Sequence, residues 1–88
     1  MIIDFDAAKS VKNLAERELP FDSVADFDWQ SASIAVDSRN HYPEQRLVAF
    51  GYLVERLHVL CFTPIAGGIR VISLRRANKR EVSRYENP

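Results

Sequence analysis

Four short runs rich in Val, Ile, Leu and Phe follow one another with only brief breaks: Ser33–Asp37, Arg46–Leu53, Leu57–Thr63 and Ile69–Leu74. The Val54–Arg56 connection is short enough for a hairpin, and Pro64 with Gly67–Gly68 marks the next turn. Strands joined this tightly pair with their sequence neighbours, because a parallel connection needs a crossover of roughly a dozen residues. The expectation is a four-stranded antiparallel meander. Before it, Asp6 is placed to cap a helix in which Ala8, Val11, Leu14, Ala15 and Leu19 recur at helical spacing and which ends before Pro20. Asp22 is placed to cap a short second helix carrying Val24, Ala25 and Phe27. A last helix starts after Asn78, which stands three residues before Glu81 in a capping-box arrangement. The predicted architecture is one α+β domain over residues 1–88, with two N-terminal helices, a four-stranded antiparallel sheet and a C-terminal helix.

At 88 residues the chain has one modest core. A domain of this size buries roughly 60–65% of its unfolded surface, so a partner subunit can share the work of stabilisation. The hydrophobic (47%) and charged (27%) fractions are those of an ordinary globular protein and argue against disorder. No apolar run approaches the roughly 18 residues that span a bilayer, and the opening Met-Ile-Ile-Asp-Phe-Asp lacks the basic start of a signal peptide. The single Cys61 lies in an apolar strand pattern and reads as a buried, inert thiol. A cytoplasmic protein with no membrane partner is expected.

The net charge is zero, yet it is unevenly distributed. Residues 1–44 carry four cations and nine anions (net −5), and residues 45–88 carry eight cations and three anions (net +5). Five of those cations, Arg70, Arg75, Arg76, Lys79 and Arg80, fall between Gly68 and Glu81. With Asn78 as cap, Lys79 and Arg80 take the first two helical positions, where cations oppose the helix dipole at about 0.3–1 kcal/mol each. Free amides and two cations at one helix start make an anion site, or both side chains turn into water. Arg75 and Arg76 occupy the strand-to-helix corner, and an arginine fork grips phosphate oxygens bidentately. Regular alternation along the strand puts Arg70, Ile72, Leu74 and Arg76 on one face and Val71, Ser73 and Arg75 on the other. Arg70 then needs either a carboxylate partner or an open face.

Glu44 and Arg46 share a face at i, i+2, as a plain ion pair or as a base beside a phosphate-binding cation. His41 falls in a turn and His58 in a strand, where a lone histidine is more often a hydrogen-bonded structural residue. Tyr85 and Val82 share one face of the last helix, so Tyr85 packs on the sheet with its hydroxyl at the edge. The chain shows no metal-ligand spacing, no glycine-rich phosphate loop and no Ser/His/Asp arrangement, so no cofactor is expected.

The segment "RVISLRRANKREVSRYE" resembles the C-terminal signature of the BrnT toxins. The likeness extends back through "FDAAKSVKNLAER", "FDW", "DSR", "YPEQR", the lone glycine of "FGYL" and "RLHVLCFTP". It implies a RelE-like fold, and a metal-independent endoribonuclease that inhibits translation and growth. It further implies a partner antitoxin encoded by a neighbouring gene, in a homodimer or a toxin–antitoxin hetero-oligomer. Carried onto this chain, the family's polar motif places Arg70, Ser73, Arg75, Arg76, Lys79 and Arg80 near the RNA phosphates. Glu44 with Arg46, and Tyr85, become candidates for proton handling, and His58 matches the pattern as an RNA-binding residue. Many relatives have glycine where this chain has Glu18 and Pro43, and arginine where it has Ile65. Glu18 removes the expected left-handed helix terminator. Ile65 and the neutral balance support a second reading, a catalytically degenerate member that serves as an antitoxin-binding module.

Overall fold

A computed structural model describes residues 1–88 as an α+β domain with a five-stranded mixed sheet. Its elements are β1 (Ile2–Asp4), α1 (Ala7–Arg17), a 3-10 helix (Phe21–Asp26), β2 (Ser33–Val36), β3 (Leu47–Leu53), β4 (Arg56–Ile65), β5 (Gly68–Arg76) and α2 (Lys79–Glu86). The strand order is β1-β5-β4-β3-β2. β2 to β5 form the expected antiparallel meander, but β1 adds a fifth strand, parallel to β5. This corrects the four-stranded antiparallel expectation. A three-residue edge strand leaves almost no periodicity to read. Its trace in the sequence is Gly68, where a Cβ would stand 1.9 Å from the Ile2 carbonyl oxygen. The expected short second helix, capped by Asp22, is also corrected. It is a six-residue 3-10 helix entered through Pro20, with no side-chain cap from Asp22, and Phe27 lies just beyond its end.

β3 and β4 are joined by a two-residue turn in which Val54 (φ 49°) and Glu55 (φ 65°) both have positive φ, the twist that a tight hairpin requires. Pro64 sits inside β4 rather than in the turn. It pairs with Ile69 on one side, and its missing N–H falls beyond the end of β3, which reaches only as far as Phe62.

The core lies between one sheet face and the N-terminal helices. Phe21, Val24 and Phe27 meet Ala49, Leu53, Leu60, Phe62, Ile69, Val71 and Leu74 there. Gly51 lets the Phe27 ring lie directly on β3, since a Cβ at that position would come within 2.5 Å of the ring.

α1 is docked differently from its apolar pattern. Val11 is 66% exposed and Leu14 48%, whereas Ser10 and Asn13 are buried. Ser10 Oγ accepts the Phe21 amide at 2.9 Å, and Asn13 Nδ2 donates to the carbonyls of Leu19 (2.7 Å) and Leu74 (3.0 Å). The Leu74 carbonyl lies on β5 beyond the three residues that pair with β1, so without Asn13 it would lose its strongest partner. Asp6 caps α1 as expected, accepting from the Lys9 amide at 3.1 Å. Glu18 itself takes the left-handed terminating position (φ 58°, ψ 29°) and donates its amide to Leu14, so the terminator persists without glycine. No helix is long and apolar enough to cross a membrane. Asn13→Ala deprives two carbonyls of a hydrogen bond and is expected to lower unfolding free energy by about 2–3 kcal/mol, measured by urea denaturation.

Candidate functional site

The sheet face away from α1 is only partly covered, and β5 reaches it through a bulge. Cys61 pairs with Ser73 while its neighbour Phe62 pairs with Val71, so Ile72 has no partner on β4. The extra residue resets the alternation. Val71 and Leu74 both face the core, and Arg70, Ser73 and Arg75 share the open face. The expected grouping of Arg70 with Leu74 and Arg76 is therefore corrected.

Val48, Phe50, Val59 and Cys61 floor a cleft of about 500 Å³ on this face. One wall carries Ser73, Arg75 and Glu81, the other Asp37, Ser38 and Arg39, with Arg17 at the rim. Both walls are bidentate ion pairs. Arg75 Nη1 and Nη2 donate to the two Glu81 oxygens at 2.8 and 2.9 Å. Arg39 Nε and Nη2 donate to Asp37 at 2.9 and 2.8 Å.

The first pair is locked by α2. Asn78 Oδ1 accepts the Glu81 amide at 2.8 Å and the Asn78 amide donates back to Glu81 at 2.9 Å, completing the expected capping box. Hydrogen bonding from Arg75 holds the Glu81 carboxyl at about 2 against the opposing effect of burial. Asp37 likewise lies at about 2, chiefly through Arg39. Its side chain is 1% exposed, and its amide donates to the Arg46 carbonyl at 2.8 Å. Burial pushes the Cys61 thiol up, so it lies protonated in the floor at neutral pH.

The other expected site residues scatter around this cleft. Arg70 lies further along the open face, held by Asp4 at 2.9 Å and by Glu44 at 3.6 Å. Glu44 thus pairs with Arg70 rather than with Arg46. The Arg46 guanidinium instead stacks 4.1 Å from the Tyr42 ring centre. Lys79 and Arg80 take the first two positions of α2, exposed and without ion-pair partners. Tyr85 packs edge-on against Tyr52, with ring centres 5.7 Å apart, and its hydroxyl donates to the Ser31 carbonyl.

His58 and Arg76 pair across β4 and β5 on the opposite face, where they line a second pocket. His58 Nδ1 lies 2.8 Å from the Arg56 carbonyl oxygen. A carbonyl only accepts, so Nδ1 carries the proton and Nε2 keeps a lone pair. Burial lowers the His58 pKa. Asp37, Arg39 and Arg17 are cleft residues that the sequence reading did not select. For the first two the signal was present, as opposite charges two apart in Asp-Ser-Arg. No three His, Cys, Asp or Glu side chains converge to hold a metal ion.

The fold is thus a small α+β domain whose open sheet face carries a cleft with an arginine–carboxylate pair on each of two walls. A family model described as "Ribonuclease toxin, BrnT, of type II toxin-antitoxin system" matches residues 5–81, and the chain belongs to this family. Membership implies an RNA target and an antitoxin protein partner. No curated protein and no solved structure matches the chain.

The Arg75–Glu81 pair sets an acid limit. A depressed folded-state pKa contributes stability that is complete above the ordinary carboxyl value of 4.5 and is lost as pH falls towards about 2. Thermal melts between pH 5 and pH 2 should therefore fall more steeply for the wild type than for Glu81→Gln.

Proposed function

We propose that this chain is the endoribonuclease of a toxin–antitoxin pair, cleaving RNA in the open-face cleft without a metal and so arresting translation and growth in the cytoplasm. The observation that carries this reading is the convergence of Arg75 and Ser73 with a second arginine, Arg39, over one cleft. Metal-free cleavage has the ribose 2′-hydroxyl give up its proton and attack the adjacent phosphorus while the bond to the 5′ oxygen breaks and that oxygen takes a proton from water, leaving a 2′,3′-cyclic phosphate and a 5′-hydroxyl. The negative charge that builds on the phosphoryl oxygens needs fixed cationic donors. Arg75 presents its fork there and Ser73 adds a hydroxyl. Lys79 and Arg80, free of carboxylates, meet neighbouring phosphates at the start of α2.

Glu81 now occupies the Arg75 fork, so an incoming phosphate exchanges with it. Released from Arg75, the carboxyl loses the main cause of its low pKa and becomes a better acceptor for the 2′-hydroxyl proton. Arg70, paired with Asp4 and Glu44, lies further along the same face, and Arg46 stacks apart from it on Tyr42; both arginines are suited to holding flanking RNA. Tyr85 anchors α2 through Ser31 and Tyr52. The antitoxin forms a hetero-oligomer with the chain and blocks the cleft.

One observation favours the second reading, a non-catalytic antitoxin-binding module: the chain's own carboxylates already neutralise Arg70 and Arg75. The two readings part in one pair of experiments. Purified protein should cleave RNA in the presence of EDTA, and Arg75→Ala should lower the rate about 10²–10³-fold with circular dichroism unchanged. Cleavage unaffected by Arg75→Ala would remove the cleft from the mechanism. Induction without the antitoxin gene should arrest growth, and normal growth with folded, inactive protein would establish the module.

A further inference from the structure

The geometry points to a bound RNA strand that does not end in the open-face cleft but continues over the C-terminal corner of β5 to the pocket at His58, with Arg17, Arg76 and Arg56 as its phosphate contacts. This rests on the reading of the cleft as an RNA site.

Three cavities are joined by shared walls. Arg17 and Arg75 line both the open-face cleft and a groove of about 630 Å³ over the β5 corner. Arg76, with Glu18 and Leu19, lines both that groove and the pocket of about 390 Å³ on the opposite face, where His58 and Arg56 lie. β1 pairs only with Gly68–Arg70, so no strand follows along the rest of β5's outer edge, and the groove there is formed between Arg75–Arg76 and the Ala15–Leu19 end of the first helix. The C-terminal end of α1 covers that edge instead, and Arg17 spends one N–H on the Leu74 carbonyl at 3.5 Å. Its remaining donors are available to a ligand.

Arg17, Arg56 and Arg76 are exposed, and none of them forms an ion pair, unlike Arg39, Arg70 and Arg75. They are thus the arginines along this path with charge not already matched by a carboxylate. Carboxylates do border it, Glu16 and Glu18 at the corner and Asp26 in the pocket, so a contact must select the arginine side. At the far end the His58 imidazole, 3% exposed, forms part of the pocket wall, and the contacts open to the strand there are Arg56 and Arg76. A small anion could fill one of these cavities, but only a flexible polyanion occupies all three at once, and a single strand can bend around the corner.

Binding of a fluorescent 2′-O-methyl RNA of about twelve nucleotides, which lacks the attacking hydroxyl, tests the path by anisotropy across a salt series. The triple variant Arg17→Ala, Arg56→Ala, Arg76→Ala should bind about tenfold or more weakly. The slope of log affinity against log salt should fall by roughly 2, about 0.7 for each lost phosphate contact. Arg56→Ala alone, remote from the α1 anchor, should show its single share with an unchanged melting temperature. Lys9→Ala, a cation off the path, should change neither quantity. Wild-type affinity and slope in the triple variant, together with a loss in Arg75→Ala, would overturn the path and leave the cleft standing. A wild type that does not bind the oligomer at all would overturn both.

Discussion

The bulge at Ile72 is the constraint on which the make-up of the open face depends. β5 must bury Val71 and Leu74, at 2% and 0% exposure, and three positions apart they cannot share a face of a regular strand. Burying each side chain contributes about 1.5–3 kcal/mol, enough to outweigh the ladder hydrogen bonding that one unpaired residue disturbs. Ile72 is left without a partner, and the polar residues follow the core. Arg70, Ser73 and Arg75 come to one side, while Arg76 goes to the other beside His58. The chemistry of the open face is thus a by-product of packing beneath it.

Charge is handled by pairing across the fold. The acidic first half and basic second half do not remain separate, since Asp4 and Glu44 both reach Arg70. Within the cleft, Asp37 and Glu81 hold Arg39 and Arg75 as rigid forks, each orienting a guanidinium at the expense of its net charge. On the proposed reading, a phosphate that binds either fork has to exchange with a carboxylate already seated there. This explains how a chain with zero formal charge can present an arginine-walled surface. It also gives the unpaired cations Lys79, Arg80 and Arg76 a larger share of the long-range attraction.

Much of the fold was legible in residue pattern. Asp6 and the Asn78–Glu81 box act as caps, the Val54–Glu55 connection is a hairpin turn, and Cys61 is a buried thiol. The docking face of α1 was not legible, although its hydrophobic spacing is regular. Ser10 and Asn13 face inward because the Phe21 amide and the Leu19 and Leu74 carbonyls need partners there, and Val11 and Leu14 are turned outward. Periodicity reports which residues are apolar, not which backbone groups a sheet edge leaves unpaired. Of the expected site residues, Ser73 and Arg75 meet in the cleft, whereas Glu44 and Arg46 separate and Arg76 and His58 lie behind the sheet.

Local chemistry in the sequence determined the order of the meander, the starts of the first and last helices, the cation-rich corner and the family. Those features depend on neighbouring residues, and a cap, a two-residue turn or a motif can be read over a few positions. The tertiary structure alone decided that β1 completes the sheet in parallel, that α1 docks through polar groups, and that one unpaired residue sorts the arginines between two faces. Each of these depends on contacts between residues far apart in the chain: Asp4 with Arg70, Asn13 with Leu74, and Cys61 with Ser73.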